Sequence, residues 1–220
     1  MVDILDRTQA VLNRVDRGVF FGKFQEEHAV QYFYEPFLEA FDPELRKDLG
    51  VWHTPREIVK YQVSRIDRVL KEELGLADGL ADPQVLVLDP CCGTGTYLIE
   101  VLEHIQRTHS TKGQGALVAA EVKKAAMTRV FGFEILPAPF VVSHLQLGLL
   151  LQRLGAPLQN QNSERVPVFL TNALTGWEPH KDTKKFAFPE LEHEHAEAEK
   201  VKQKEKILVV LGNCLDAQFA

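Results

Sequence analysis

The sequence predicts an α/β protein built on a parallel sheet with helices on both faces. Three observations predict it: short, nearly continuous apolar runs that read as strands, helical segments alternating with them, and a glycine turn joining the first strand to its helix. Strands that are apolar on both sides need burial on both sides, and helices supply it when the strands run parallel. The size fits, since 220 residues at 45% hydrophobic and 25% charged can carry one good core with an appendage. Lys+Arg 25 against Asp+Glu 31 leaves a net charge of −6, so the chain lacks most of the basic surface that gives phosphate binding its affinity. No apolar run approaches the roughly 18 residues of a membrane span. The start, MVDILDRTQAVLNRV, has neither the basic lead nor the apolar core of a signal peptide, so a cytoplasmic location with no membrane partner is expected.

Taken in order, residues 1–50 read as a helical segment. Ile4, Val11, Leu12 and Val15 lie at helical spacing, and the aromatics of AVQYFYEPF are assigned to packing. The α/β domain is expected over 51–213, with an atypical tail at 214–220. It opens at Thr54-Pro55-Arg56-Glu57, where a threonine N-cap, a proline at the first helical position and a glutamate three residues after the threonine spell a capping box. Val59, Val63, Ile66 and Leu70 then give that helix one buried face to about Leu74. The first strand is VLVLD, followed by PCCGTGT and the helical YLIEVLEHIQ. The second is VFGFEI (130–135), followed by Pro137 and a helix apolar nearly all round, FVVSHLQLGLLLQRL. VPVFL is the third and KILVVLG (206–212) the fourth. The charged stretch between these two reads as a solvated helix and loop. Its His193 and His195, two residues apart, lie on different sides of a helix and do not form a helical metal pair. Cys91 and Cys92 are adjacent and no C-x-x-C spacing is present, so neither they nor Cys214 suggest a metal site.

The chemistry concentrates in Asp89-Pro90-Cys91-Cys92-Gly93-Thr94-Gly95-Thr96. A strand that ends in aspartate and turns through two close glycines into a helix lets backbone N–H groups approach a ligand at the carboxyl edge of the sheet. A phosphate loop would need a lysine after the second glycine, and a dinucleotide turn would need Gly or Ala where Leu98 stands. An aspartate aimed into such a site repels a pyrophosphate but can hold the ammonium of an amino acid.

With the TP-x-E segment before it, this turn resembles the N6-adenine DNA methyltransferases of restriction–modification systems. Five blocks follow the family's order over residues from about 35 to 213: EPFLEAFDPELRKDLGVWHTPREIV, VLDPCCGTGTYL, VFGFEILPAPFVVSHLQL, VFLTNALTGW and ILVVLGN. The resemblance implies a Rossmann-like fold that uses S-adenosyl-L-methionine. In that reading Thr54 lines the methionine end, Asp89 lies under the amino group, and Pro90, Gly93 and Gly95 form the turn that allows close backbone approach. Glu134 accepts hydrogen bonds from the ribose hydroxyls, Asn172 hydrogen-bonds the cofactor's adenine, and Ile135 and Leu136 flank its ring. Each position also has a plainer role. Thr54 can be a helix cap, Glu134 a solvated strand-end acid, and Asn172 and Asn213 turn residues.

Catalysis in the family depends on an Asn-Pro-Pro-Tyr block directly after the fourth strand, which grips the amino group of a flipped adenine and stacks on its ring. Asn213 is the catalytic candidate here, but Cys214, Leu215 and Asp216 follow it, and Phe219 is six residues on. The expectation is a cofactor-binding portion, incomplete at its C-terminus, that does not methylate DNA alone and reaches double-stranded DNA through a complete parent enzyme. A non-catalytic cofactor-binding module that docks on a partner subunit is the second reading. A methyltransferase for RNA, protein or a small molecule is the third.

Overall fold

Five helices and four strands follow in the order α1 (Arg56–Glu72), β1 (Val87–Asp89), α2 (Thr96–Thr111), α3 (Val118–Thr128), β2 (Val130–Glu134), α4 (Pro137–Arg153), β3 (Val168–Leu170), α5 (Pro189–Lys204) and β4 (Val209–Val210) among the described residues. This computed structural model describes residues 54–113, 115, 117–159, 164–175 and 189–213. The helical segment expected over 1–50, its aromatic stretch and the tail at 214–220 lie outside them.

The strands form one sheet in the order β3-β2-β1-β4, and every pair is parallel. Leu88 stands opposite both Phe131 and Val210, and Phe133 opposite Phe169. The chain steps from β1 to β2 to β3 in one direction, then places β4 on the far side of β1. That reversal makes a switch point between β1 and β4, and in open parallel sheets ligands bind at the carboxyl ends beside such a point.

Alternation along the strands divides the core between two faces. Val87, Val130, Val168 and Val209 point to the face covered by α1 to α4, packing with Val59, Val63, Leu98, Leu102, Ile105, Val122, Leu147 and Leu151. Leu88, Phe131, Phe133 and Phe169 point to the other, where Ala198 and Val201 of α5 meet them. Gly132 lies on the first face and has to be small, since a Cβ there would come within 2.8 Å of Leu98 Cδ1 and 3.1 Å of Cys92 Sγ. At the amino ends of the strands, Arg129 donates through Nη1 to the carbonyls of Asp82 and Val85 at 2.8 and 3.0 Å. Nearby, Asp67 accepts the Leu80 N–H at 2.9 Å and pairs with Lys71 and His104.

Five details differ from the sequence expectation. The capping box does not form: Pro55, at φ −52° and ψ 135°, is the N-cap, and no side chain caps α1. Helical geometry begins one residue later than the spacing assumed, which leaves Thr54 outside the first turn and Glu57 inside it. The helix also ends at Glu72, and the strands are shorter than their apolar runs, β1 and β3 at their amino ends, β2 by one residue at its carboxyl end and β4 at both ends. Helix α3, absent from the expectation, arises from VAAEVKKAAMT, whose alanines and lysines favour helix without a wide apolar stripe. The charged stretch, read as solvated, instead sends the buried Ala198, Val201 and Lys202 of α5 onto the sheet.

Candidate functional site

Strand β1 ends at Asp89, whose side chain is fully buried. Its Oδ1 accepts the Cys91 N–H at 3.1 Å, whereas its Oδ2 has no hydrogen-bond partner among the described residues. Burial pushes the carboxyl up to about 7; the Cys91 N–H opposes this shift and the neighbouring Glu134 charge adds to it. The turn that follows is tied down by backbone bonds, Cys92 N–H to the Phe133 carbonyl and Gly95 N–H to the Cys92 carbonyl, each at 2.8 Å. Gly93 and Gly95 adopt left-handed φ values of 54° and 89°. A side chain at Gly95 would also press on Ser143 Cβ at 3.3 Å, while none of the described residues fills the space beside Gly93. Gly95 is the N-cap of α2 and no side chain among the described residues caps that helix, so its positive end lies at this turn.

Strand β2 ends at Glu134, also buried, with both carboxylate oxygens hydrogen-bonded. Oε2 accepts the Gly93 N–H at 2.8 Å, and Oε1 accepts the N–H groups of Ile135 and Leu136, both at 2.8 Å. Burial raises its carboxyl above the ordinary range, and the Leu136, Gly93 and Ile135 N–H groups hold it back. The Glu134 side chain therefore ties the β2 end to the glycine turn after β1. Ile135, next along, is 58% exposed, an apolar surface beside two carboxylates.

Beyond β3, the Thr171 N–H bonds the Glu134 carbonyl at 2.8 Å, and Asn172 Oδ1 accepts the Leu174 N–H at 2.8 Å. Beyond β4, Gly212 packs so closely on Asp89 that a Cβ would lie 2.6 Å from Oδ1. Asn213, exposed, donates from Nδ2 to Thr54 Oγ1 at 3.2 Å. The nine residues singled out from the sequence (Thr54, Asp89, Pro90, Gly93, Gly95, Glu134, Ile135, Asn172 and Asn213) thus all fall at the carboxyl edge of the sheet. Thr54 joins Asn213, Glu134 joins Gly93 and Ile135, and Asn172 stands on the neighbouring loop.

Three further residues at this edge hold roles that the sequence does not announce. Gly212 stands in the ILVVLGN block as the end of the fourth strand, but nothing in that block shows that its missing side chain lets the β4 end close on Asp89. Tyr97, buried in the first turn of α2, donates to Gln62 of α1, and its hydroxyl is raised by burial and by the Asp89 charge. Lys202, buried on α5, reaches the Asn172 loop. A lysine inside a charged run carries no signal that sets it apart from its solvated neighbours.

The sequence profile of the N-6 DNA Methylase family matches residues 25–150, more than half of the chain. The methylase subunit of the Type I restriction enzyme EcoEI from Escherichia coli is 25% identical over 171 residues. That match covers 78% of this chain and 28% of the subunit, so the chain spans little more than a quarter of that relative's length. Among solved structures, the fold resembles the DrdV–DNA complex with a TM-score of 0.64 at 19% identity, over 86% of this chain and 16% of that one. It also resembles a nuclease-deletion mutant of the Type ISP restriction–modification enzyme LlaGI with a DNA substrate mimic, at TM-score 0.58 and 21% identity, over 74% of this chain and 12% of that one. The ATP-dependent Type ISP enzyme LlaBIII bound to DNA gives 0.55 at 24% identity, over 74% of this chain and 10% of that one. These three likenesses concern the fold. The profile match covers the glycine turn, β2 and most of α4, and through it the chain belongs to the N-6 DNA methylase family.

Proposed function

We propose that this domain binds S-adenosyl-L-methionine at the carboxyl ends of β1 and β2 and serves as the cofactor half of an adenine-N6 DNA methyltransferase. The observation that carries the reading is the unpartnered Oδ2 of Asp89, a buried acceptor at a switch point. An uncompensated buried carboxylate oxygen is costly, and the ammonium of an amino acid would satisfy it. The open amino end of α2 suits the carboxylate of the same amino acid. The close fit of Gly212 over Asp89 and the exposed Ile135 beside Glu134 suit a ligand with one charged end and one flat apolar end. The residues present therefore fit the cofactor, which supplies an electrophilic sulfonium methyl when bound.

Thr54, Asp89, Pro90, Gly93 and Gly95 hold the methionine end in this reading. Glu134 has one acceptor position left on Oε2 for a ribose hydroxyl, Ile135 and Leu136 flank the base, and Asn172 bonds it. Because Asp89 is fully buried, entry requires the segment at Gly212 and Asn213 to part from Thr54. The substrate is double-stranded DNA, engaged by a larger assembly, since the net charge of −6 gives this domain little attraction for phosphates. Asn213 offers the amide that grips a flipped adenine, but Cys214 and Leu215 stand where the family has prolines, so methyl transfer by this chain alone is not expected. Calorimetric titration with S-adenosylmethionine tests the reading. Saturable binding, lost in Asp89→Ala and Glu134→Ala, supports it, and no binding by a folded wild-type chain overturns it.

One observation favours a partner subunit as well. Val210, on a strand paired only with β1 among the described residues, is 64% exposed, and Leu208 just before it is 48% exposed. Apolar side chains on such an edge are readily covered by another chain.

A further inference from the structure

Helix α4 touches the glycine turn at two points one helical turn apart. Ser143 is fully buried, with its Cβ 3.3 Å from where a Gly95 side chain would begin, and Gln146 donates from Nε2 to the Thr94 carbonyl at 3.0 Å. The polarity of the second contact is set by its partner, since a carbonyl only accepts and so takes the nitrogen end of the amide. Leu147, Leu150 and Leu151 bury the same helix in the core, and His144 Nε2 pairs with the Val168 carbonyl of β3 at 3.1 Å. Gln146 therefore reaches the turn from a fixed base.

Three peptide units join Cys92 to Gly95. In the first, the Cys92 carbonyl accepts the Gly95 N–H and the Gly93 N–H goes to Glu134 Oε2, both at 2.8 Å. In the third, the Gly95 N–H makes that same bond and the Thr94 carbonyl takes Gln146. Both outer units are thus bonded at both ends. In the middle unit the Gly93 carbonyl turns toward the buried Cys92 Sγ, 3.9 Å away, and the Thr94 N–H, opposite it across a trans peptide, faces away from that packing. That N–H meets no acceptor among the described residues, and none of them fills the space beside Gly93. Without Gln146 the third unit keeps only a bond within the turn itself, and the middle unit loses a fixed neighbour.

We propose that Gln146 is a positioning residue: by holding the Thr94 carbonyl on α4, it keeps the Thr94 N–H presented to the carboxylate at the cofactor's methionine end. The inference rests on the reading of this edge as the cofactor site. It adds a residue that acts through the turn rather than on the ligand, and sets how firmly one end of that ligand is held.

The experiment compares S-adenosylmethionine with its decarboxylated form by calorimetry on the full chain, at pH 8, above the Asp89 value of about 7. The two ligands share the adenosine, the sulfonium methyl and the ammonium, and differ by the carboxylate alone. The wild type prefers the carboxylate ligand by about tenfold or more, the worth of one charge-assisted hydrogen bond. In Gln146→Met that preference falls to within about threefold, because affinity for S-adenosylmethionine drops while the decarboxylated ligand binds as before. Should Gln146→Met fail to fold, Gln146→Glu, which keeps the length but carries no donor for the carbonyl at this pH, gives the same loss. A glutamine that only stabilises the fold weakens both ligands alike, and a preference unchanged in the folded variant overturns the proposal. Equal affinity of the wild type for the two ligands also overturns it and leaves the cofactor reading standing, whereas binding of neither by folded wild type overturns both.

Discussion

Two buried aspartates mark the two ends of the sheet, and their carboxyls shift in opposite directions. At the amino ends, burial raises Asp67, but hydrogen bonds from His104, Lys71 and the Leu80 N–H outweigh it and bring the carboxyl down to about 2. At the carboxyl ends, burial raises Asp89 to about 7 with a single opposing N–H, from Cys91. Both side chains are shielded from water, so burial by itself does not separate a structural acid from a binding one. The number of donors each acid has does. One end of the sheet is finished within the chain, and the other keeps an acceptor in reserve.

The sharpest way to break this comparison is to remove each charge while keeping its shape. Asp89→Asn is expected to weaken S-adenosylmethionine binding by about 100-fold or more, the loss of a charge-assisted contact, while the thermal midpoint holds or rises because a costly buried carboxyl is gone. Asp67→Asn should instead leave any binding site intact and cost about 2–3 kcal/mol of stability, since its donors lose an ionised acceptor. Urea unfolding and calorimetry on both variants check this. Equal stability losses in the two would erase the distinction.

Titration gives the same contrast a pH axis. Asp89 has a folded pKa near 7 against an ordinary value of 3.8, so it binds more protons folded than unfolded between those values. Its contribution to stability is full below about pH 4 and is lost as pH rises through about 7. Asp67, near 2 when folded, contributes above about 3.8 and loses that contribution only as pH falls through about 2. Urea midpoints of the wild type should therefore fall between pH 4.5 and 8 by an amount that Asp89→Asn removes, a difference on the order of a few kcal/mol. An ammonium ligand favours the ionised acid. Cofactor affinity should accordingly drop by about tenfold per pH unit below 7, with proton release measurable in buffers of different ionisation enthalpy.

The division between what the sequence showed and what it hid follows the range of the interactions. Strand ends and the glycine turn were legible because they are written in consecutive residues: Asp89 after an apolar run, Gly93 and Gly95 two apart, Glu134 before Pro137. Partnership was not legible, because it joins residues distant in sequence. Nothing near Glu134 announces that the Gly93 N–H will occupy one of its oxygens, and nothing near Lys202 announces that its ammonium will thread to residues 171–175. Helix α5 was misjudged for a related reason. Its charge is high enough to hide a narrow buried stripe at Ala198, Val201 and Lys202. Gly132 tests how far packing alone extends into the site. Gly132→Ala places a Cβ 2.8 Å from Leu98 and close to Cys92 in the turn, so a loss of about 1–3 kcal/mol is expected by thermal unfolding.

The smallest effect separates local rule from tertiary contact at Thr54. A genuine N-cap threonine changed to alanine costs about 1 kcal/mol. Here Pro55 is the N-cap, its carbonyl accepts the Ile58 and Val59 N–H groups at 3.0 and 3.2 Å, and the Thr54 hydroxyl accepts Asn213 Nδ2 instead. Thr54→Ala should therefore cost less than about 0.5 kcal/mol, the range of an exposed contact, and leave the helical signal of α1 unchanged. Its effect belongs at the other end of the bond. Amide exchange at Asn213 and Gly212 should quicken in the variant, because the strand-end segment loses its tie to the α1 side of the site. A stability loss near 1 kcal/mol with no change in that exchange would restore the capping role and detach Thr54 from the carboxyl edge.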